Sequence, residues 1–143
     1  MQIQQLSVFV ENKPGRLAEI TEALAGAGVD IRAISVADTS DFGILRVIVD
    51  KPQQAVEALK SHGMTVSLTN VIAVGFDDKP GCFASAVRLL ADKGFDMEYM
   101  YAFISRDKGK AYVIIRLDNG QKAAEALHAN GFEILEPEAI YGM

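Results

Sequence analysis

Asn12-Lys13-Pro14-Gly15 and Asp78-Lys79-Pro80-Gly81 stand 66 residues apart, and the same offset lays Gly28-Val29-Asp30-Ile31 on Gly94-Phe95-Asp96-Met97. Further along, Ala55-Val56-Glu57-Ala58-Leu59 falls on Ala123-Ala124-Glu125-Ala126-Leu127, and Gly63-Met64 on Gly131-Phe132, now at an offset of 68 residues. A chain of 143 residues, which by length alone reads as one ordinary domain, is therefore a tandem duplication of a unit of roughly 70 residues. The two residues gained by the second copy fall near Ser105 to Lys110, a polar, glycine-containing stretch where an insertion adds little loop-closure cost.

Periodicity within each copy sets the elements around these landmarks. Leu6, Val8 and Val10 alternate as in a strand, and Pro14, which has no N–H to lose, stands where a helix is expected to begin. Leu17, Ile20 and Leu24 follow at helical spacing, and Gly28 is the expected stop. Strands over 29–37 and 44–49 with a turn between them read as a hairpin, Pro52 opens a second helix ending near Gly63, and 64–68 is a last strand. The second copy repeats this order with strands over 71–76, 95–104, 111–117 and 132–135 and helices from Pro80 and across 123–129. The predicted fold class is α+β, with two ferredoxin-like βαββαβ units over residues 1–69 and 70–143. Each is a four-stranded antiparallel sheet with two helices on one face. Thr69 and Asn70 form the only polar break between them. A unit this small buries little more than about 60% of its unfolded surface, so the halves are expected to pack on each other.

Composition narrows the function. Lys and Arg number 14 against 19 Asp and Glu, a formal net charge of −5, which is the wrong sign for a surface that neutralises phosphates; no nucleic-acid partner is expected. No apolar run approaches the roughly 20 residues of a membrane-spanning helix, and Met1-Gln2-Ile3-Gln4-Gln5 lacks the basic start of a secretory signal. A single cysteine, Cys82, leaves no intramolecular disulfide and no thiol-rich metal site. The expectation is a cytoplasmic protein without metal or cofactor.

Catalytic constellations are thin. His62 and His128 sit late in second helices at non-equivalent repeat positions, where a negative helix end suits them, and Cys82 has no matching His or Asn. An acylphosphatase-like hydrolase requires an Arg and an Asn aimed at a phosphate. Arg16 and Asn12 are imaginable there, but Cys82 replaces Arg16 in the second copy. Tyr99, Tyr101 and Phe103 alternate on one strand face as base-stacking rings do. They lack basic surroundings, and the first copy has Ala33, Ser35 and Ala37 at the equivalent positions, so the stripe reads as a sheet or subunit contact.

The twice-used turn remains. Its glycines let a ligand approach the backbone, with helix N–H groups directed at an anion such as a carboxylate. Asp30 and Asp96 fall after the first helix of each copy, at the far end of their own unit, so turn and carboxylate can line one site only across an interface with another unit.

Strand, Asn12-Lys13-Pro14-Gly15-Arg16-Leu17 with Ile20 and Leu24, then Gly28-Val29-Asp30-Ile31, repeated from Asp78 to Met97, resembles a pair of ACT domains. These are small regulatory modules found on enzymes of amino-acid metabolism. The resemblance covers nearly the whole chain. It implies a non-catalytic sensor that binds a free amino acid at an interface between ACT domains. It also implies a homodimer that regulates a separate enzyme or regulator. The residues it points to are Asn12, Pro14, Gly15, Arg16, Leu17, Asp30 and Ile31 in the first copy, and Asp78, Pro80, Gly81, Cys82, Phe83, Asp96 and Met97 in the second. Serine-binding members of the family carry Asn where Asp30 and Asp96 stand here. The carboxylates suit a ligand's ammonium group and suggest a nitrogen-bearing side chain. A small hydrolase and a ligand-free interaction subunit are the alternatives.

Overall fold

The computed structural model describes residues 2–38, 41–103 and 107–142. The chain divides into two compact units, one of Gln4–Thr69 and one of Asn70–Tyr141 joined by residues 2 and 3. In chain order the elements are β1 (Ile3–Glu11), α1 (Arg16–Gly26), β2 (Ile31–Asp38), β3 (Phe42–Val49), α2 (Pro52–Ser61) and β4 (Thr65–Asp77). They continue with α3 (Cys82–Asp92), β5 (Met97–Phe103), β6 (Lys110–Leu117), α4 (Gly120–Ala129), β7 (Glu133–Ile134) and α5 (Pro137–Tyr141).

In the first unit the strand order is β2-β3-β1-β4, with β1 and β2 both antiparallel to β3. Its core joins Leu6 and Val8 of β1 and Leu45, Val47 and Val49 of β3 to Ile20 and Leu24 of α1 and Ala55 and Leu59 of α2. Both helices thus lie on one sheet face. The second unit repeats the order as β5-β6-β4-β7, with Ile72, Val74, Val113 and Ile115 under Ala86 and Leu90 of α3 and Ala123, Ala124 and Leu127 of α4. The two ferredoxin-like units expected from the repeat are present.

Three details differ from the sequence expectation. The polar pair Thr69-Asn70 divides the units but does not interrupt the strand, because β4 runs through it from Thr65 to Asp77. A short helix, α5, follows β7 and buries Ile140, although its five residues carry no repeat counterpart. The third concerns the first helices, which begin at Arg16 and Cys82 rather than at Pro14 and Pro80. The expected hairpin turn over 38–43 and the strand end at 104 fall partly on residues 39, 40 and 104, outside the described residues.

The late helix start has a local cause. Gly15 (φ 89, ψ −13) and Gly81 (φ 92, ψ −18) precede the helices in the left-handed region, which an L side chain enters at a penalty of about 1–2 kcal/mol. The chain therefore turns sharply after each proline and only then becomes helical. Nothing lies within 4 Å of a side chain built on Gly15, so Gly15→Ala is expected to lose about 1–2 kcal/mol in urea unfolding purely through its backbone. An unchanged midpoint would mean that the turn relaxes out of this conformation.

Candidate functional site

The turn between β1 and α1 is held by its own backbone. Lys13 N–H donates to Glu11 O at 2.8 Å, Arg16 N–H to Lys13 O at 3.3 Å, and Asn12 N–H reaches Asp41 O at 3.0 Å. The second unit repeats these bonds: Lys79 to Asp77 at 2.8 Å, Cys82 to Lys79 at 3.2 Å and Asp78 to Gly109 at 2.9 Å. No side chain caps α1 or α3 among the described residues, so first-turn amides of each are left for another acceptor.

Beside the first turn opens a cavity of about 360 Å³. Val10, Val36, Gly43 and Leu45 line it from the strands, Pro14 and Leu17 from the turn and α1, and Glu11, Asn12, Lys13 and Arg16 bring the polar groups. Gly43 has a reason to be glycine: a Cβ there would lie 3.2 Å from Ala37 O and 3.5 Å from Asn12 Oδ1. The charges are already engaged with one another. Glu11 Oε2 meets Lys13 Nζ at 3.0 Å and Arg16 Nη2 at 3.8 Å, while Arg16 Nη1 donates to Glu19 Oε2 at 3.1 Å. Hydrogen bonding and charge from Lys13, reinforced by Arg16, hold the Glu11 carboxyl below the usual carboxylate range.

The expected residues divide between two places. Asn12, Pro14, Arg16 and Leu17 line this cavity, and Gly15 sets the helix start beside it. Asp30 and Ile31 are removed from it by the length of α1, roughly 16 Å for 11 residues. Asp30 pairs with Arg32 Nη1 at 3.2 Å, its N–H donates to Asp50 Oδ1 at 2.8 Å, and Ile31 packs on the first core.

In the second unit Asp78, Pro80 and Gly81 form the equivalent exposed turn, Asp96 is exposed after α3, and Met97 packs on the second core. Phe83 stacks on Phe76 at 5.7 Å. Cys82 lines a different cavity of about 320 Å³ with Asp77, Ser85, Lys110, Phe132 and Glu133. Val10, Val36, Gly43 and Leu45 were missed by motif reading. They carry no chemistry of their own, and only laying the two copies side by side marks them, since Phe76 replaces Val10 and Ala111 replaces Gly43.

Tyr112 of the second unit joins two carboxylates. Its hydroxyl donates to Asp107 Oδ2 at 3.0 Å and approaches Glu133 Oε2 at 3.4 Å, and Phe103 stacks on its ring at 5.3 Å. Burial, then the bond to Asp107 and the charge of Glu133, push the phenol up to about 12. A phenol that binds its proton more tightly when folded stabilises the fold fully below its unfolded value, near 10, and that stability is lost as pH rises from there toward 12. Chemical-denaturation midpoints measured across this range are expected to fall in the parent and to fall less in Tyr112→Phe. Equal slopes would place the alkaline sensitivity elsewhere. Near the turn, Asp77 is held below the usual carboxylate range by its hydrogen bond from Lys110 at 3.0 Å and by that charge.

Other sequence candidates are accounted for locally. His62 follows α2 with Nδ1 2.8 Å from Ala58 O, and His128 lies in the last turn of α4. Among the described residues no group of His, Cys, Asp and Glu is arranged to hold a metal ion, and no helix is long and apolar enough to cross a membrane.

Comparison with known proteins agrees with this architecture. A crystal structure of a Bacteroides thetaiotaomicron protein is 38% identical, covers 100% of this chain and 98% of its own, and superposes with a TM-score of 0.93. The regulatory subunit of aspartate kinase from Thermus thermophilus, in its ligand-free form, shares 20% identity over 88% of this chain and 90% of its own with a TM-score of 0.64. A structure of aspartokinase alpha and beta subunits gives 22% identity, 90% coverage of each chain and a TM-score of 0.61. At these two identities the likeness speaks for the fold alone. No curated protein matches the chain. The family model described as an ACT domain pair matches residues 1–143, the whole chain. The chain belongs to the ACT domain pair family.

Proposed function

We propose that this protein is a non-catalytic, cytoplasmic sensor that binds a free amino acid beside the turn from Glu11 to Leu17 and regulates a separate enzyme or regulator of amino-acid metabolism. The observation that carries the reading is the 360 Å³ cavity at that turn, apolar within and bearing both signs of charge on Glu11, Lys13 and Arg16. A zwitterion matches such a rim: its ammonium meets the carboxylate, and its carboxylate meets the cations and the uncapped amides of α1. Family membership supports a regulatory ligand-binding role, and the aspartate kinase regulatory subunit shares the fold.

The working unit is a homodimer in which Asp30 or Asp96 of one chain completes a site at the turn of the other. Ligand then favours one packing of the chains over another, by no more than its difference in affinity for the two. The hydrolase alternative is disfavoured locally. Cys82 stands at the position of Arg16 in the second unit, so the arginine that such chemistry requires is not repeated there.

A thermal-shift screen of the full chain against the twenty amino acids tests the sensor. Ligand at about a hundred times its Kd adds roughly 2.7 kcal/mol, a shift of several degrees. The expected outcome is a rise in Tm with one group of amino acids that Asn12→Ala abolishes. Flat curves across the set defeat the proposal, and a response abolished by Asp78→Ala alone moves the site to the second turn.

A further inference from the structure

We infer that the first unit alone carries the amino-acid site and that its ligand has an uncharged aliphatic side chain. The inference rests on the sensor reading above and adds to it which copy binds and what it selects.

The two units differ at the positions that surround the cavity. Sheet register pairs Val10 with Gly43 and Leu45 with Val36 in the first unit, and Phe76 with Ala111 and Val113 with Ala102 in the second. Leu17 corresponds to Phe83 by the 66-residue offset. In the second unit the Phe76 and Phe83 rings stack with 24° between their planes, side by side where the first unit presents Val10 and Leu17 to open space. Ala111 adds a methyl group where Gly43 leaves none. The second turn keeps its backbone frame and has its apolar space filled from within.

The second unit's 320 Å³ cavity is no replacement for it. Its lining by Gly75, Phe76, Asp77, Cys82, Phe132 and Glu133 matches Phe9, Val10, Glu11, Arg16, Met64 and Thr65, which in the first unit line a second, smaller space of about 170 Å³ that shares only Val10, Glu11 and Arg16 with the larger one.

Ligand class follows from what the first cavity offers inside. Val10, Pro14, Leu17, Val36 and Leu45 give apolar contact. Glu11 is the one carboxylate in the lining and is the partner of the ligand's own ammonium, so a basic side chain finds no second carboxylate there. An acidic side chain would leave the apolar walls dewetted around a charge, which burial penalises heavily. At about 360 Å³ the space lies at the lower end of small-molecule sites, suited to a single amino acid. Asp30, the carboxylate that suggested a nitrogen-bearing side chain, is paired with Arg32 at 3.2 Å.

Isothermal calorimetry of the full chain tests this with leucine, isoleucine, valine, alanine, serine, lysine, histidine and glutamate. A branched aliphatic amino acid is expected to bind at one site per chain and at least tenfold more tightly than alanine, since each methylene in an apolar pocket changes affinity by about 10-fold or more. Val10→Phe with Leu17→Phe, which copies the second unit, is expected to abolish binding. Phe76→Ala with Phe83→Ala is expected to leave the original site intact. Should the first pair compromise folding, as read by circular dichroism, Val36→Asp tests the same wall at an exposed position and is expected to weaken the aliphatic ligand more than tenfold. Tightest binding of lysine, histidine, serine or glutamate overturns the ligand class and leaves the sensor reading standing. Two sites per chain, or loss of binding in the Phe76/Phe83 variant with retention in the Val10/Leu17 variant, overturns the assignment to the first unit. Silence toward every amino acid defeats both this inference and the sensor reading.

Discussion

Leu24→Ala and Leu90→Ala are each expected to lower stability by about 2–5 kcal/mol, seen as a large fall in urea midpoint with little change in slope. The two leucines occupy the same repeat position, in α1 and α3, and each is wholly buried. Each faces a sheet from its helix: Leu24 lies in the core with Leu6, Val8 and Leu45, and Leu90 in the core with Ile72, Val74 and Val113. Removing three carbons leaves a void that close-packed neighbours fill only in part. The helix end amplifies this. Leu24 O and Leu90 O accept the bonds that close their helices, from Val29 N–H at 3.0 Å and Phe95 N–H at 2.9 Å, so slack at either side chain reaches the turn into the next strand. A unit of roughly 70 residues has only about 4–10 kcal/mol to lose at the usual stability per residue. Leu68→Ala, at a position 37% exposed in β4, is the control, with an expected loss of about 1 kcal/mol or less. A Leu90→Ala loss no greater than that of Leu68→Ala would contradict the core described for the second unit.

These leucines are also why the fold could be read from the chain. Helical spacing from Leu17 to Leu24, strand alternation from Leu6 to Val10 and the recurring Gly28 and Gly94 are local signals, and duplication presents each of them twice. Where a local signal misled, a stronger local preference overrode it. Pro14 suits a helix start, yet Gly15 takes the left-handed conformation that no helix interior holds, so the helix begins one residue beyond the glycine. Thr69 and Asn70 do mark the division between the units, yet they do not interrupt β4, because strand continuity depends on ladder partners far along the chain, which polarity at two positions does not report. The turn motif gave away the candidate site's polar half, because Asn, Pro, Gly and Arg are conspicuous there. Its apolar half comes from three strands, and membership of a cavity is a property of register. The stack of Phe76 on Phe83 illustrates this: one lies on a strand and one on a helix, and neither position in the sequence says that the rings meet.

Gly75→Ala is expected to cost about 1–3 kcal/mol, with most of that cost disappearing when Tyr112 is truncated to alanine in the same chain. Repeat position 75 corresponds to Phe9, which pairs across the sheet with Ile44, stands 52% exposed and has Phe42 beside it with ring centroids 5.1 Å apart. The second unit inverts the sizes: Gly75 pairs with Tyr112, and the tyrosine ring covers the space a side chain would need. A Cβ on Gly75 would lie 2.6 Å from Tyr112 Cε1 and 2.9 Å from Glu133 Oε2. The carboxylate, at the end of a flexible side chain, can withdraw. The ring is less free, because Asp107 holds its hydroxyl and Phe103 stacks against its face. The added methyl must therefore displace either a packed aromatic or the β4 backbone, and both are costly in a buried sheet. Urea unfolding of Gly75→Ala, Tyr112→Ala and the double variant measures the coupling. If the methyl costs as much without the ring as with it, the strain lies in β4 itself, and Gly75 is required by the strand rather than by Tyr112.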